Sequence, residues 1–149
     1  MFRSIALAAA TAFALPVLAD SHAVDLTASG DVAAGEKAFR QCTSCHVVVN
    51  DAGETLAGKK SKTGPNLYGI AGRAAGTVEG FKYSKTIVLA GEQGVVFDEA
   101  TFAAFVQNPS GWLREATGDK SRSKMTYKVR KEADAINLYA YLASLAPAP

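Results

Sequence analysis

Cys42, Cys45 and His46 stand together in Cys42-Thr43-Ser44-Cys45-His46, two thiols three positions apart with an imidazole directly behind the second. That pattern suits covalent capture of a haem: each thiol adds across one vinyl group, and the adjacent imidazole reaches the iron as its proximal ligand. Two plainer readings compete. Half of a structural zinc site needs further Cys or His ligands, and the only other histidine is His22, near the start. A C-x-x-C redox motif should follow a strand in a βαβ pattern, whereas this one follows a helix-like run and ends on a histidine. Haem attachment uses all three residues.

The opposite face of such an iron decides between electron transfer and an open site for catalysis or gas binding. Methionine occurs only at Met1 and Met125. A lone methionine is ordinarily core filling. Met125, however, lies in the polar stretch Lys120-Ser121-Arg122-Ser123-Lys124-Met125-Thr126-Tyr127-Lys128, where ligation gives a thioether its reason to be present. His46 and Met125 are therefore the expected metal ligands. A soft neutral thioether favours reduced iron and raises the reduction potential relative to two imidazoles.

Helices must position these groups. Asp31 is placed to cap a helix that carries Val32 and Phe39 inward and runs directly into the Cys42 motif. Gly35 leaves bare backbone beside Phe39 on one face, where a second helix can cross closely. From Asn50 to Gly76 the chain is rich in Gly, Lys and Thr without sustained periodicity, and reads as ordered loop. A short helix is expected over Lys85 to Ala90. Another begins at Asp98 with Phe102, Phe105 and Val106 inward, and Asn108-Pro109 ends it. The strongest helix runs from Glu132 to Leu145, with Ile136, Leu138, Tyr139, Tyr141, Leu142 and Leu145 along it. No internal repeat and no alternating strand series occurs, so the class is all-α with long loops. So small a core needs the buried macrocycle as a surface on which loops pack.

The first residues, Met1-Phe2-Arg3-Ser4 followed by an apolar run from Ile5 to Leu18 and the small residue Ala19, have the form of a cleaved secretory signal peptide over residues 1–19. A short polar lead covers residues 20–29, and residues 30–149 form one domain. Ser21-His22-Ala23 offers a second cleavage point. Cleavage leaves about 130 residues, enough for a single core and too few for two. Export to an oxidising compartment, the periplasm, fits two cysteines consumed as thioethers. The formal net charge of +2 is close to neutral and argues against nucleic-acid binding in an exported chain. Cations nevertheless gather from Arg114 to Lys131, as a docking patch or simply a solvated face.

The ordered series of Gly35 and Phe39, the Cys42 motif, Lys62-Thr63-Gly64-Pro65-Asn66-Leu67, Gly72-Arg73, Phe81-Lys82-Tyr83, Asn108-Pro109, Lys124-Met125 and Tyr141-Leu142 resembles the class I c-type cytochromes, close to the cytochrome c2 group. The resemblance covers about Gly30 to Leu145. It implies a small class I cytochrome c fold with crossing N- and C-terminal helices and long loops wrapped around one haem c attached through Cys42 and Cys45. It further implies that Gly35 and Phe39 pack on Leu138 and Tyr141, that Pro65 offers its carbonyl to the His46 ring N–H, and that Arg73 and Tyr83 hold a haem propionate. Two positions depart from the family pattern. Phe97 stands where relatives often carry Trp, and Phe105 where many carry a Tyr whose hydroxyl approaches the methionine sulfur. The pocket is therefore expected to be drier, with Ser123 as partial compensation.

The resulting expectation is a soluble, monomeric, periplasmic one-electron carrier and not an enzyme, with no small-molecule substrate. Lys37, Lys62, Lys82, Lys85, Lys124 and Lys128 would form a positive collar steering it to acidic docking surfaces on membrane-bound electron-transfer complexes. Analogy points to a quinol-oxidising cytochrome complex as donor and a photosynthetic reaction centre or terminal oxidase as acceptor. The alternatives are a haem enzyme or gas sensor with an open distal site, and a subunit tethered to a redox complex by an uncleaved N-terminus.

Overall fold

The computed structural model describes residues 24–146, so the expected signal segment 1–19 and His22 lie outside the described residues. Asp31 has extended backbone, and its Oδ1 accepts from the Ala34 N–H at 2.6 Å, satisfying one of the free donors that open α1 (Val32–Phe39). Gly35 and Phe39 are the buried positions of this helix. Val32, expected inward, is 45% exposed, because only the Gly35–Phe39 face meets a partner. After Phe39 the chain continues through tight turns into the cysteines, with Cys42 N–H on the Phe39 carbonyl at 2.8 Å and His46 N–H on the Cys42 carbonyl at 2.9 Å.

A small antiparallel hairpin leads into the stretch read as loop, with β1 (Val48–Val49) just before Asn50 and β2 (Thr55–Ala57) inside it. Its strands are too short for alternation to register in the sequence. Asn50 and Glu54 exchange hydrogen bonds at the turn, and Gly53, at φ 81°, supplies the left-handed backbone that it needs. Val48 is wholly buried and anchors the hairpin to the core.

Three helices follow: α2 (Lys85–Glu92), α3 (Glu99–Gln107) and α4 (Pro109–Thr117). Asp98 Oδ1 caps α3 by accepting from the Thr101 N–H at 2.7 Å. Asn108-Pro109 does end α3, yet α4 starts immediately. Proline at the first helical position loses no bond there, since that N–H would have no intrahelical partner. The expectation of a stop at Asn108-Pro109 is incomplete, because Pro109 also opens α4. This helix closes at Gly118, whose φ of 73° lets its N–H turn back to the Arg114 carbonyl.

The last helix, α5 (Glu132–Ser144), carries Glu132 and Asp134 in its first turn, where the helix dipole favours them, and buries Ala135, Leu138, Tyr139, Ala140, Tyr141 and Leu142. Both α1 and α3 pack against it, while α4 joins α2 to α3. The α1–α5 crossing is close because Gly35 has no Cβ: one placed there would collide with the Asn137 carbonyl and sit 2.7 Å from Tyr141 Cβ. Asn137 Oδ1 also accepts from the Asp31 N–H at 2.8 Å, and the Phe39 and Tyr141 rings lie 5.6 Å apart. Behind this crossing an aromatic chain runs through the core, Phe102 to Tyr139 at 5.7 Å, Phe97 to Phe105 at 5.6 Å and Phe105 to Trp112 at 5.8 Å. Each such ring contributes roughly 2–3 kcal/mol by leaving water.

Candidate haem site

Loops rather than helices bring the reactive side chains together, and backbone pairing fixes those loops. Gly64 N–H donates to the Cys45 carbonyl at 2.7 Å and Leu67 N–H to the Val47 carbonyl at 2.9 Å, so residues 64–67 run beside the cysteine motif. Asn66 completes the attachment from its side chain: Oδ1 accepts from the Val49 N–H at 2.9 Å and Nδ2 donates to the Val49 carbonyl at 2.7 Å. The result is that the Pro65 carbonyl oxygen lies 2.9 Å from His46 Nδ1. Burial holds the His46 pKa below the ordinary histidine range, with the Pro65 carbonyl opposing that shift. The imidazole is then neutral, with Nδ1–H donating to Pro65 and the lone pair left on Nε2. Gly64 packs flat on the ring, where an added Cβ would stand 2.5 Å from Cε1 and 2.6 Å from Nδ1.

Arg73 is placed by a second pairing. Phe97 N–H donates to the Arg73 carbonyl at 3.0 Å and Gly72 N–H to the Phe97 carbonyl at 2.9 Å. The guanidinium turns inward, Nη1 donating to the Asn66 carbonyl at 3.1 Å. Burial lowers its pKa, which Tyr83 partly offsets, and burial raises that of Tyr83 against the opposing effects of Val78 and Arg73. Among the described residues the only ion pair is Lys85 with Asp119, so Arg73 is a half-buried cation without a carboxylate. Such a group calls for an anion beside it.

Met125 arrives on the loop between α4 and α5. Its N–H donates to Ser123 Oγ at 3.1 Å, and Ser123 N–H donates to Ser110 Oγ at 3.0 Å, which ties the loop to the start of α4. Cys42, Cys45, His46, Pro65, Arg73, Tyr83 and Met125 all line one cavity of about 240 Å³. All seven residues singled out from the sequence therefore converge. Its other walls are mainly apolar, with Phe97 and Phe105 presenting no hydrogen-bond donor and Ser123 buried among them. Ile70 and Val129 also line it, and Asn66 ties its 64–67 wall to Val49. The first two sit in loops with no periodicity to mark them, and the role of Asn66 depends on Val49, far away in sequence.

The donor set fits a covalently held haem and does not fit the plainer readings. Burial, reinforced by the adjacent Cys45 thiol, pushes the Cys42 thiol up to about 11. A reactive redox thiol is shifted the other way by its surroundings. Among the described residues no cluster of three or more His, Cys, Asp or Glu side chains is arranged to hold a metal by itself. An apolar cavity with two thiols, an imidazole with a free nitrogen, a thioether and a guanidinium that has no carboxylate beside it matches a macrocycle that is apolar at its faces and anionic at one edge.

No family model matches the chain. Individual proteins do. The chain is 50% identical to a cytochrome c2 of Cereibacter sphaeroides, the match covering 99% of each, and 61% identical to a cytochrome c2 of Rhodovulum adriaticum over 78% of this chain and 94% of the relative. Among solved structures, cytochrome c2 from Rhodobacter sphaeroides superposes with a TM-score of 0.78 at 52% identity, covering 81% of this chain and all (100%) of that one. The ferric cytochrome c-550 of Paracoccus versutus superposes with a TM-score of 0.74 at 42% identity, covering 80% of this chain and 100% of its own.

Proposed function

The chain belongs to the cytochrome c2 family of class I c-type cytochromes, and from that premise we propose that it works as a soluble, monomeric, periplasmic carrier whose haem iron is held by His46 and Met125. Membership makes it an electron carrier with redox partners rather than an enzyme, carrying one haem c attached through Cys42 and Cys45. When bound, that haem supplies one-electron chemistry by cycling between ferric and ferrous iron.

The protein's own residues govern that chemistry. Pro65 fixes the tautomer and the plane of the His46 ring, so Nε2 stays available as a ligand without reorientation. Met125 would supply the second, soft ligand, and an iron held by both His46 and Met125 would leave no place for small molecules. Arg73 and Tyr83 would neutralise and donate to a propionate, and the aromatic wall of Phe97, Phe102 and Phe105 would exclude water. The observation that carries the reading is the convergence of His46, with its Nδ1 committed to Pro65, and Met125 on one apolar cavity.

The partners belong to the same reading: membrane-bound complexes with acidic docking faces, a quinol-oxidising complex supplying electrons and a reaction centre or terminal oxidase removing them. All six collar lysines are exposed. Residues 1–19 act as the signal that delivers the chain, 20–29 as a polar lead and 30–149 as the domain. Carbon monoxide added to the ferrous protein at neutral pH tests the closed site. Slow or negligible binding supports the carrier, whereas rapid binding supports an open-site enzyme or sensor. The mass of the exported protein reads signal removal and the haem adduct together.

A further inference from the structure

From Gly118 to Lys131 the chain has neither helix nor strand, yet it carries Met125 across the cavity. Beyond its first two residues, its backbone N–H groups are fastened to other segments at two points, Ser123 N–H on Ser110 Oγ at 3.0 Å and Val129 N–H on the Val106 carbonyl at 2.9 Å. Between them the attachments are made by side chains. Lys124 Nζ donates to the Lys82 carbonyl, Lys128 Nζ to Asn108 Oδ1, and the Tyr127 hydroxyl to Gln41 Oε1. Only the last reaches the segment that holds the cysteines, because Gln41 immediately precedes Cys42.

We infer that the Tyr127–Gln41 hydrogen bond is a latch, with Tyr127 a positioning residue that closes the Met125 strap over the cavity mouth and limits entry of small ligands to the iron. The inference rests on the proposed ligation by Met125. Tyr127 and Gln41 both line the cavity, on the strap and on the cysteine segment respectively, so their bond joins the two across its lining. Tyr127 is 43% exposed, so partial burial places its ring and the hydroxyl contact adds the tie to the cysteine segment. A segment without a backbone ladder opens at low free-energy cost, and one hydrogen bond is then a large share of what keeps it closed. The hydroxyl is what matters: a phenylalanine would keep the ring over the mouth and lose the tie.

The test uses the ferric holoprotein with imidazole as the entering ligand, comparing wild type, Tyr127→Phe, Gln41→Met and the double variant. Each single change should raise the imidazole binding rate roughly threefold to tenfold, and the double variant should rise no further than the larger single effect, because both remove the same bond. Hydrogen exchange at the Met125 and Val129 amides should accelerate in parallel, while the amides of α5 stay unchanged. Wild-type imidazole binding and exchange rates in Tyr127→Phe, or single effects that multiply in the double variant, would overturn the latch. The ligation reading is judged separately by the far-red ferric band of the wild type. Exchange at these two amides reports the latch whether or not sulfur binds iron.

Discussion

Gly35 of α1 lies directly against the backbone of Asn137 in α5, with no room between them for a single methyl group. This approach sets the helix crossing that carries the cysteine motif, since α1 leads straight into Cys42. Replacing Gly35 by Ala must push the helices apart or bend them. Overpacking of this kind costs about 3 kcal/mol. The expected result is a fall in the thermal midpoint of about 10 °C in the holoprotein. A midpoint equal to that of wild type would show that the crossing is looser than described.

Phe105 offers a test of the dry pocket. It is buried on the cavity wall, between Phe97 and Trp112, and presents no donor there. Phe105→Tyr would add a phenol to the cavity that Phe105 and Met125 both line. The positive end of an O–H dipole aimed at the ligand disfavours ferric more than ferrous iron, so the potential should rise. One hydrogen bond of ~1 kcal/mol corresponds to roughly 40 mV for a single electron. Redox titration of the variant checks both sign and size, and a fall in potential would contradict the argument.

Much of this arrangement is legible in the sequence, and what escaped has identifiable causes. Asp31, Gly35 and the Cys42 motif act through neighbours a few residues away or through a bare glycine face, and spacing reveals such features. The helix α4 escaped because Pro109 both stops one helix and starts the next, and its nine residues carry few apolar positions besides Trp112 and Leu113. The hairpin escaped because two- and three-residue strands have no period. Side-chain ties such as Asn66 to Val49, Lys124 to Lys82 and Tyr127 to Gln41 join loops distant along the chain, and no local pattern encodes them.

Tyr139 gives a prediction that combines stability with pH. It is wholly buried on α5, and its hydroxyl has no hydrogen-bond partner among the described residues. Burial, with the carboxylates of Asp98, Glu99 and Asp25 adding to it, holds its pKa above the ordinary tyrosine range. A phenol with a raised folded pKa contributes its full stability below the unfolded value of about 10 and loses it as pH rises through the folded value, because unfolding then releases a proton. Tyr139→Phe should therefore gain about 1 kcal/mol at pH 7 by removing an orphaned hydroxyl. Its advantage over wild type should widen at higher pH. Denaturant unfolding at pH 7 and in the alkaline range checks both, and a less stable variant at pH 7 would mean that the hydroxyl has a partner.

The lysine collar makes a kinetic prediction. Lys37, Lys62, Lys82, Lys124 and Lys128 are exposed, and Lys85, 3.7 Å from Asp119, is exposed across 81% of its side chain. Charges so placed act over the Debye length, about 10 Å at 0.1 M salt. Association with an acidic redox partner should slow severalfold as ionic strength rises through that range, and Lys62→Glu should reproduce part of the loss at low salt. A rate indifferent to salt would remove the collar from the account.

The ligation of one iron by His46 and Met125 is tested most directly by the far-red absorption of the ferric protein, recorded for wild type and for Met125→Ala. The account predicts a weak far-red band in the wild type that disappears in the variant, with the covalent haem retained through Cys42 and Cys45. A wild type without that band, or a variant that keeps it, would contradict the account.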